Sequence, residues 1–181
     1  MSLSCWRRTA LLVGAGLIGL AGCTSLPAGP APASLASHSN GRIALSVQGD
    51  AARSMSAGFE LRGDVHAGIL SLSTPLGTQL ARASWQGRRI ELATSDGVRH
   101  YHSLDALAED AFGQPLPMAA LFDWLKGRAW SGAPYTALVD EPGYLQLGWE
   151  VRLGRYDDGL IIAKRLGPPP LVSVRVKLDP A

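Results

Sequence analysis

Cysteine is almost absent from the 181-residue chain, with only Cys5 and Cys23 present. A disulfide scaffold and a metal centre built from several cysteines are therefore excluded. Charge of one sign is also missing. The whole chain is formally +2, but Arg7 and Arg8 lie in the first segment, which has no Asp or Glu. Everything after Cys23 carries 15 basic and 15 acidic side chains. A balanced surface is a poor partner for nucleic acid, because such binding depends on clustered Lys and Arg neutralising phosphates. It also lacks the polybasic patch that docks on anionic lipid. There is no Gly-Lys phosphate loop, no Gly-x-Ser-x-Gly elbow and no carboxylate pair placed for acid–base work. No catalytic residue, cofactor or bound metal is expected, and the chain is read as a monomeric non-enzyme. The length suggests one domain.

The first 22 residues have the layout of a secretory signal: Arg7 and Arg8 form a positive n-region, and Thr9 to Leu20 is an uncharged apolar run. That run is too short for a comfortable span of about 20 residues. It ends in Leu20-Ala21-Gly22-Cys23, which resembles the lipobox of bacterial lipoproteins, a leucine and two small residues before an acylated cysteine. The resemblance implies cleavage before Cys23 and lipid anchoring there. Thr24 stands where an Asp usually marks inner-membrane retention, so the outer membrane, facing the periplasm, is the implied address. Residues 23–40 then read as the lipidated cysteine and a tether rich in Pro, Ala and Ser, and residues 41–181 as the folded domain.

From Gly41 the pattern alternates. Ile43, Leu45 and Val47 form one stripe, and Met55, Ala57, Phe59 and Leu61 a second. Leu70 and Leu72, Leu80 to Trp85, and Ile90 with Leu92 continue it, and Asp96-Gly97 marks a hairpin before Val98 to His102. Period two with one wet face means antiparallel strands. The period then lengthens. Ser103 can cap a helix ended by Gly113, and a second begins near Pro117, carries Met118, Leu121, Phe122 and Leu125, and stops at Gly127. Residues 128–143 read as turns. Leu145, Leu147, Trp149, Val151 and Leu153 read as one long strand, followed by Leu160 to Ala163 and by Val172 to Leu178. The expectation is a mainly β (α+β) fold, in which a curved antiparallel sheet holds helices against its concave face.

The segment Gly68 to Gly77, with its Thr74-Pro75-Leu76-Gly77 loop, resembles a signature of the outer-membrane lipoprotein receptor LolB family. Asp96-Gly97, Gly113-Gln114-Pro115-Leu116-Pro117, Trp124-Leu125-Lys126-Gly127 and Gly148-Trp149 match it in order and approximate spacing. The resemblance implies an incomplete β-barrel with helices as a lid over an apolar cavity. It also implies that lipoproteins arrive from the periplasmic carrier LolA and are placed in outer-membrane lipid. Leu76, in the loop Pro75, Leu76 and Gly77, takes the family's membrane-insertion role. From the residues alone, Pro75 suits the second position of a tight turn and puts Leu76 at its tip, where a single exposed leucine is also an ordinary surface feature.

The inward stripes supply candidates for the acyl cavity: Leu45, Met55, Phe59, Leu61, Leu70, Leu72, Leu121, Leu125 and Trp149. Taken singly, each reads more readily as ordinary core than as cavity wall. His100 and His102 share a strand face near Asp105, but without a third ligand they read as a solvated strand edge rather than a metal site. A structural or assembly lipoprotein that binds a protein partner through its sheet is the alternative reading, and a hydrolase ranks below both.

Overall fold

The structure is a computed structural model, described here for residues 37–113 and 115–180. The signal segment, Cys23 and most of the tether lie outside the described residues. Eleven strands form one antiparallel sheet in the order β6-β5-β4-β3-β2-β1-β11-β10-β9-β8-β7. The first six are β1 (His38–Val47), β2 (Asp50–Gly63), β3 (Ala67–Ser73), β4 (Gln79–Gln86), β5 (Arg89–Thr94) and β6 (Gly97–Tyr101). Two short helices follow, α1 (Leu104–Phe112) and α2 (Met118–Trp124). The remaining strands are β7 (Tyr135–Ala137), β8 (Gly143–Gln146), β9 (Trp149–Arg155), β10 (Leu160–Arg165) and β11 (Val172–Leu178). The outer strands β6 and β7 do not pair, so the sheet is an unclosed barrel, as expected.

Alternation turns into packing through the register. Leu61, Leu70, Ala83 and Leu92 face one another across β2 to β5. Met55, Leu45, Val174, Ala163, Val151 and Tyr144 form a second row from β2 to β8. Both rows lie on the covered face, because side chains two apart on a strand share a face. The helices start where the sequence places them. The Ser103 hydroxyl accepts from the Ala106 amide at 3.0 Å, and Gly113 ends α1 in the left-handed region at φ 63°. Such a residue is commonly glycine because it has no Cβ to clash. The Asp105 carboxylate accepts from the Met118 amide at 3.2 Å, so the first turn of α1 caps the start of α2.

Three features differ from the sequence reading. β1 begins at His38 rather than Gly41, because His38, Ser39 and Asn40 pair by backbone with Arg62, Leu61 and Glu60, and backbone pairing leaves no hydrophobic signature. The run from Leu145 to Leu153 is not one strand but the β8–β9 hairpin, turning at Leu147 (φ 52°) and Gly148 (φ 76°). A two-residue turn preserves the alternation in the sequence while reversing the chain. Gln146 and Trp149 face the interior, and Leu145 and Leu147 face solvent. The 128–143 segment also contains β7, a three-residue exposed edge strand held by the backbone of β8.

Gln146 is the buried polar residue of the core, and every one of its bonds is made. Its Oε1 accepts from the Trp124 indole and the Trp130 amide, both at 2.9 Å. Its Nε2 donates to the carbonyls of Trp130 at 2.7 Å and Ala133 at 2.8 Å. One amide thereby fixes α2 and the 128–134 segment to β8. Removing it strands several buried groups, each at about 1–3 kcal/mol. Gln146→Leu is expected to destabilise the fold by about 3 kcal/mol in urea unfolding, more than removal of an exposed ion pair such as Arg155–Asp158.

Candidate functional site

The covered face of the sheet is treated differently on its two sides. Toward β8–β10 it is filled. Trp124 is 1 % exposed and packs on Trp149, with ring centroids 6.0 Å apart. Tyr144 lies beside them, its hydroxyl donating to the Arg128 carbonyl at 2.8 Å. Burial, and then the nearby Asp123 charge, push the Tyr144 pKa far upward and keep it a neutral donor.

Toward β1–β4 the same face is hollow. An apolar cavity of about 110 Å³ lies between the strands and both helices, within a wider recess that is partly open to solvent. Ile43, Leu45, Met55, Phe59, Leu61, Leu70, Leu72 and Ala83 contribute from the first four strands, and Val174 and Val176 from β11. Leu104, Leu107 and Phe112 come from α1, Met118, Leu121 and Phe122 from α2, and Leu116 and Leu125 from the segments flanking α2. No polar atom faces the space. Trp85 shows how this is achieved. Its ring meets Phe122 edge-on at 5.8 Å, while its indole N–H turns away to the Asp64 carbonyl at 2.7 Å. The Asp64 carboxylate accepts from the amides of His66 and Ala67, chiefly the former, which holds it below the usual carboxylate range and fixes the turn that receives Trp85.

Eight of the nine sequence candidates border this space: Leu45, Met55, Phe59, Leu61, Leu70, Leu72, Leu121 and Leu125. Trp149 does not. It sits on the filled side, 2 % exposed against Trp124, where it closes the core instead of lining the hollow. Beyond those candidates, Ile43, Ala83, Trp85, Val174 and Val176 border the space from the strands, and Leu104, Leu107, Phe112, Leu116, Met118 and Phe122 from the helical segment. Ile43, Val174 and Val176 stand in the alternating stripes, and Ala83 faces Leu70 in register.

The Thr74–Thr78 loop is built as a tight turn away from the cavity walls. The Gly77 amide donates to the Thr74 carbonyl at 2.9 Å, and the Thr78 amide to the Thr74 hydroxyl at 3.1 Å. Gly77 takes φ 85°, open to it without strain. Leu76 stands at the tip, 95 % exposed. His100 and Glu91 approach within 3.6 Å on neighbouring strands, and no cluster of three metal-ligating side chains occurs among the described residues. No helix among them is long and apolar enough to cross a membrane.

An apolar, unsatisfiable lining can hold hydrocarbon and little else, since any polar group placed there would lose its hydrogen bonds. Narrowing the space should therefore weaken binding without unfolding the protein. Leu121→Trp is expected to reduce the affinity for a fluorescent fatty-acid probe by about tenfold, the equivalent of 1.4 kcal/mol, with an unchanged circular dichroism spectrum. An undiminished affinity would show that the probe binds elsewhere.

Comparison with known proteins agrees over the same residues. The family model described as "Outer membrane lipoprotein LolB" matches residues 38–178. Outer-membrane lipoprotein LolB of Bordetella petrii is 34 % identical, covering 96 % of this chain and 94 % of its own length. The protein of the same name from Bordetella pertussis is 37 % identical, covering 87 % and 85 %. That of Cupriavidus necator is 38 % identical over 61 % and 62 %.

Proposed function

The chain belongs to the LolB family of outer-membrane lipoproteins, and from that premise we propose how it receives lipoprotein cargo and passes it to lipid. It is an outer-membrane lipoprotein that receives other lipoproteins. The carrying observation is the wholly apolar hollow between β1–β4 and the two helices. A lipoprotein's acyl chains present many methylenes, each costing about 0.8 kcal/mol in water, so free cargo in the periplasm is tens of kcal/mol uphill. A receiving protein must keep those chains dry. The hollow does this by burial alone, with Leu45, Met55, Phe59, Leu61, Leu70, Leu72, Leu121 and Leu125 as the acyl contacts.

On this reading the cargo arrives from the periplasmic carrier LolA. Acylated Cys23 anchors the protein on the periplasmic side of the membrane, and residues 23–40 connect the anchor to the folded domain. No bond of the cargo is made or broken, so the protein acts as a receptor and not as an enzyme. The Pro75-Leu76-Gly77 loop makes the contact with lipid. Leu76 spends nothing on folding, being almost fully exposed, and seating it in hydrocarbon recovers about 1.5–3 kcal/mol.

Incubating the purified protein with carrier loaded with labelled lipoprotein tests the reading directly: cargo should move to it and then to added vesicles. Cargo that stays on the carrier would overturn it. Leu76→Glu is expected to keep the fold and the first transfer while abolishing most delivery into vesicles. Normal delivery by that variant would remove the loop from the mechanism.

A further inference from the structure

The antiparallel order places every connection except the helix-bearing crossing from β6 to β7 at one of two ends of the sheet, and the turns at the two ends have opposite chemistry. At one end lie the turns 48–49, 74–78, 95–96, 147–148 and 166–171. Asp96 is their sole charged residue, and they carry Leu76, Leu147, Leu166, Leu171 and the run Pro168-Pro169-Pro170. At the other end lie 64–66, 87–88, 138–142 and 156–159, which carry Asp64, Arg88, Asp140, Glu141, Asp157 and Asp158. Val65 and Val139 are the exposed apolar exceptions there.

Leu147 and Leu166 are 47 % and 57 % exposed, and Leu171 is exposed as well. Their loops touch: the Leu166 amide donates to the Gly148 carbonyl at 3.0 Å, and the Leu171 carbonyl accepts from Gln48 at 2.9 Å. Leu147 is the telling residue. It is the non-glycine residue with positive φ among the described ones, at 52°, a conformation suited to Gly, Asn or Asp and strained for leucine. A strained leucine turned into water is doubly unfavourable unless something apolar meets it.

We propose that the whole leucine-bearing end is the face that lies on the bilayer, with Leu147, Leu166 and Leu171 as a second lipid contact beside the Leu76 loop. The inference rests on the receptor reading for Leu76. β3 and β9 are five strand steps apart in the sheet, or about 24 Å along it. Two contacts that far apart fix an orientation, whereas one loop leaves the body free to swing.

A lipid surface fits the depletion of charge over five separate loops, since a protein partner would need a polar rim with satisfied hydrogen bonds.

The test uses the full acylated chain in vesicles of phosphatidylethanolamine and phosphatidylglycerol, with Cys5 absent after processing and Cys23 blocked by its lipid. An environment-sensitive fluorophore is placed on Pro169→Cys or on Asp157→Cys, and quenching by lipids spin-labelled in the acyl region is read. Quenching at 169 and none at 157 is expected. Adding Leu166→Ser and Leu171→Ser should shift the docked population of the 169-labelled protein by about tenfold for each leucine seated. Leu147→Asn should raise Tm, by relieving the turn, while lowering the quenching at 169. Equal quenching at both positions, none at 169, or quenching unaffected by the leucine changes would each overturn the proposal. Transfer of cargo from carrier to protein is measured alongside. If it fails, the receptor reading fails; if it proceeds without quenching at 169, only the second contact does.

Discussion

The organising constraint is that the two edge strands of the sheet never meet. A sheet closed into a barrel satisfies its edges with hydrogen bonds and leaves its interior to be filled by side chains. Here β6 and β7 end the sheet without pairing, so its concave apolar face must be sheltered by something else. Two helices of nine and seven residues do that. They are too short to be stable alone and owe their existence to the apolar stripe they set against the strands. The stripe and the helices are thus each other's reason for being ordered, and what remains between them is decided by side-chain size.

That size is distributed unevenly. On the β8–β10 side, Trp124, Trp149 and Tyr144 supply large rings, with Gln146 absorbing the polar atoms they bring. The hollow side also carries rings, Phe59, Trp85, Phe112 and Phe122, but Leu, Met, Val and Ala make up most of its lining and leave a space between the walls. An apolar hollow of this kind stays dry, because a water inside would find no hydrogen-bond partners. The filled half fixes α2 through Trp124 and Gln146, and the hollow half leaves apolar side chains facing empty space. One fold can therefore be stable and still keep apolar surface uncommitted.

Much of this was legible in the sequence because it depends on local patterns. Period two gave the strands, Ser103 and Gly113 bracketed α1, and Thr74-Pro75-Leu76-Gly77 gave the exposed tip. What escaped depends on chain reversals and on what lies opposite. The Leu147-Gly148 turn keeps the alternation intact, so Leu145 to Leu153 reads as one strand, and Trp149 reads as a cavity wall although it faces Trp124. The backbone-only pairing of His38 to Asn40 and the edge strand β7 have no side-chain signature at all. Gln146 was missed for a different reason: a glutamine in an apolar stripe looks like an error until the four groups it satisfies are seen.

The absence of directed polar contacts in the hollow bears on the direction of transfer. A site that grips its ligand with hydrogen bonds must break them to release it, and that requires an energy source or a competing polar partner. A purely apolar lining competes with a bilayer in the same currency, buried methylenes at about 0.8 kcal/mol each. The hollow opens to solvent at its mouth, so a chain seated in it keeps some methylenes wet, whereas the bilayer covers them all. On the proposed reading, movement from protein to membrane is then downhill without nucleotide hydrolysis, and the barrier is the passage across the water between mouth and lipid.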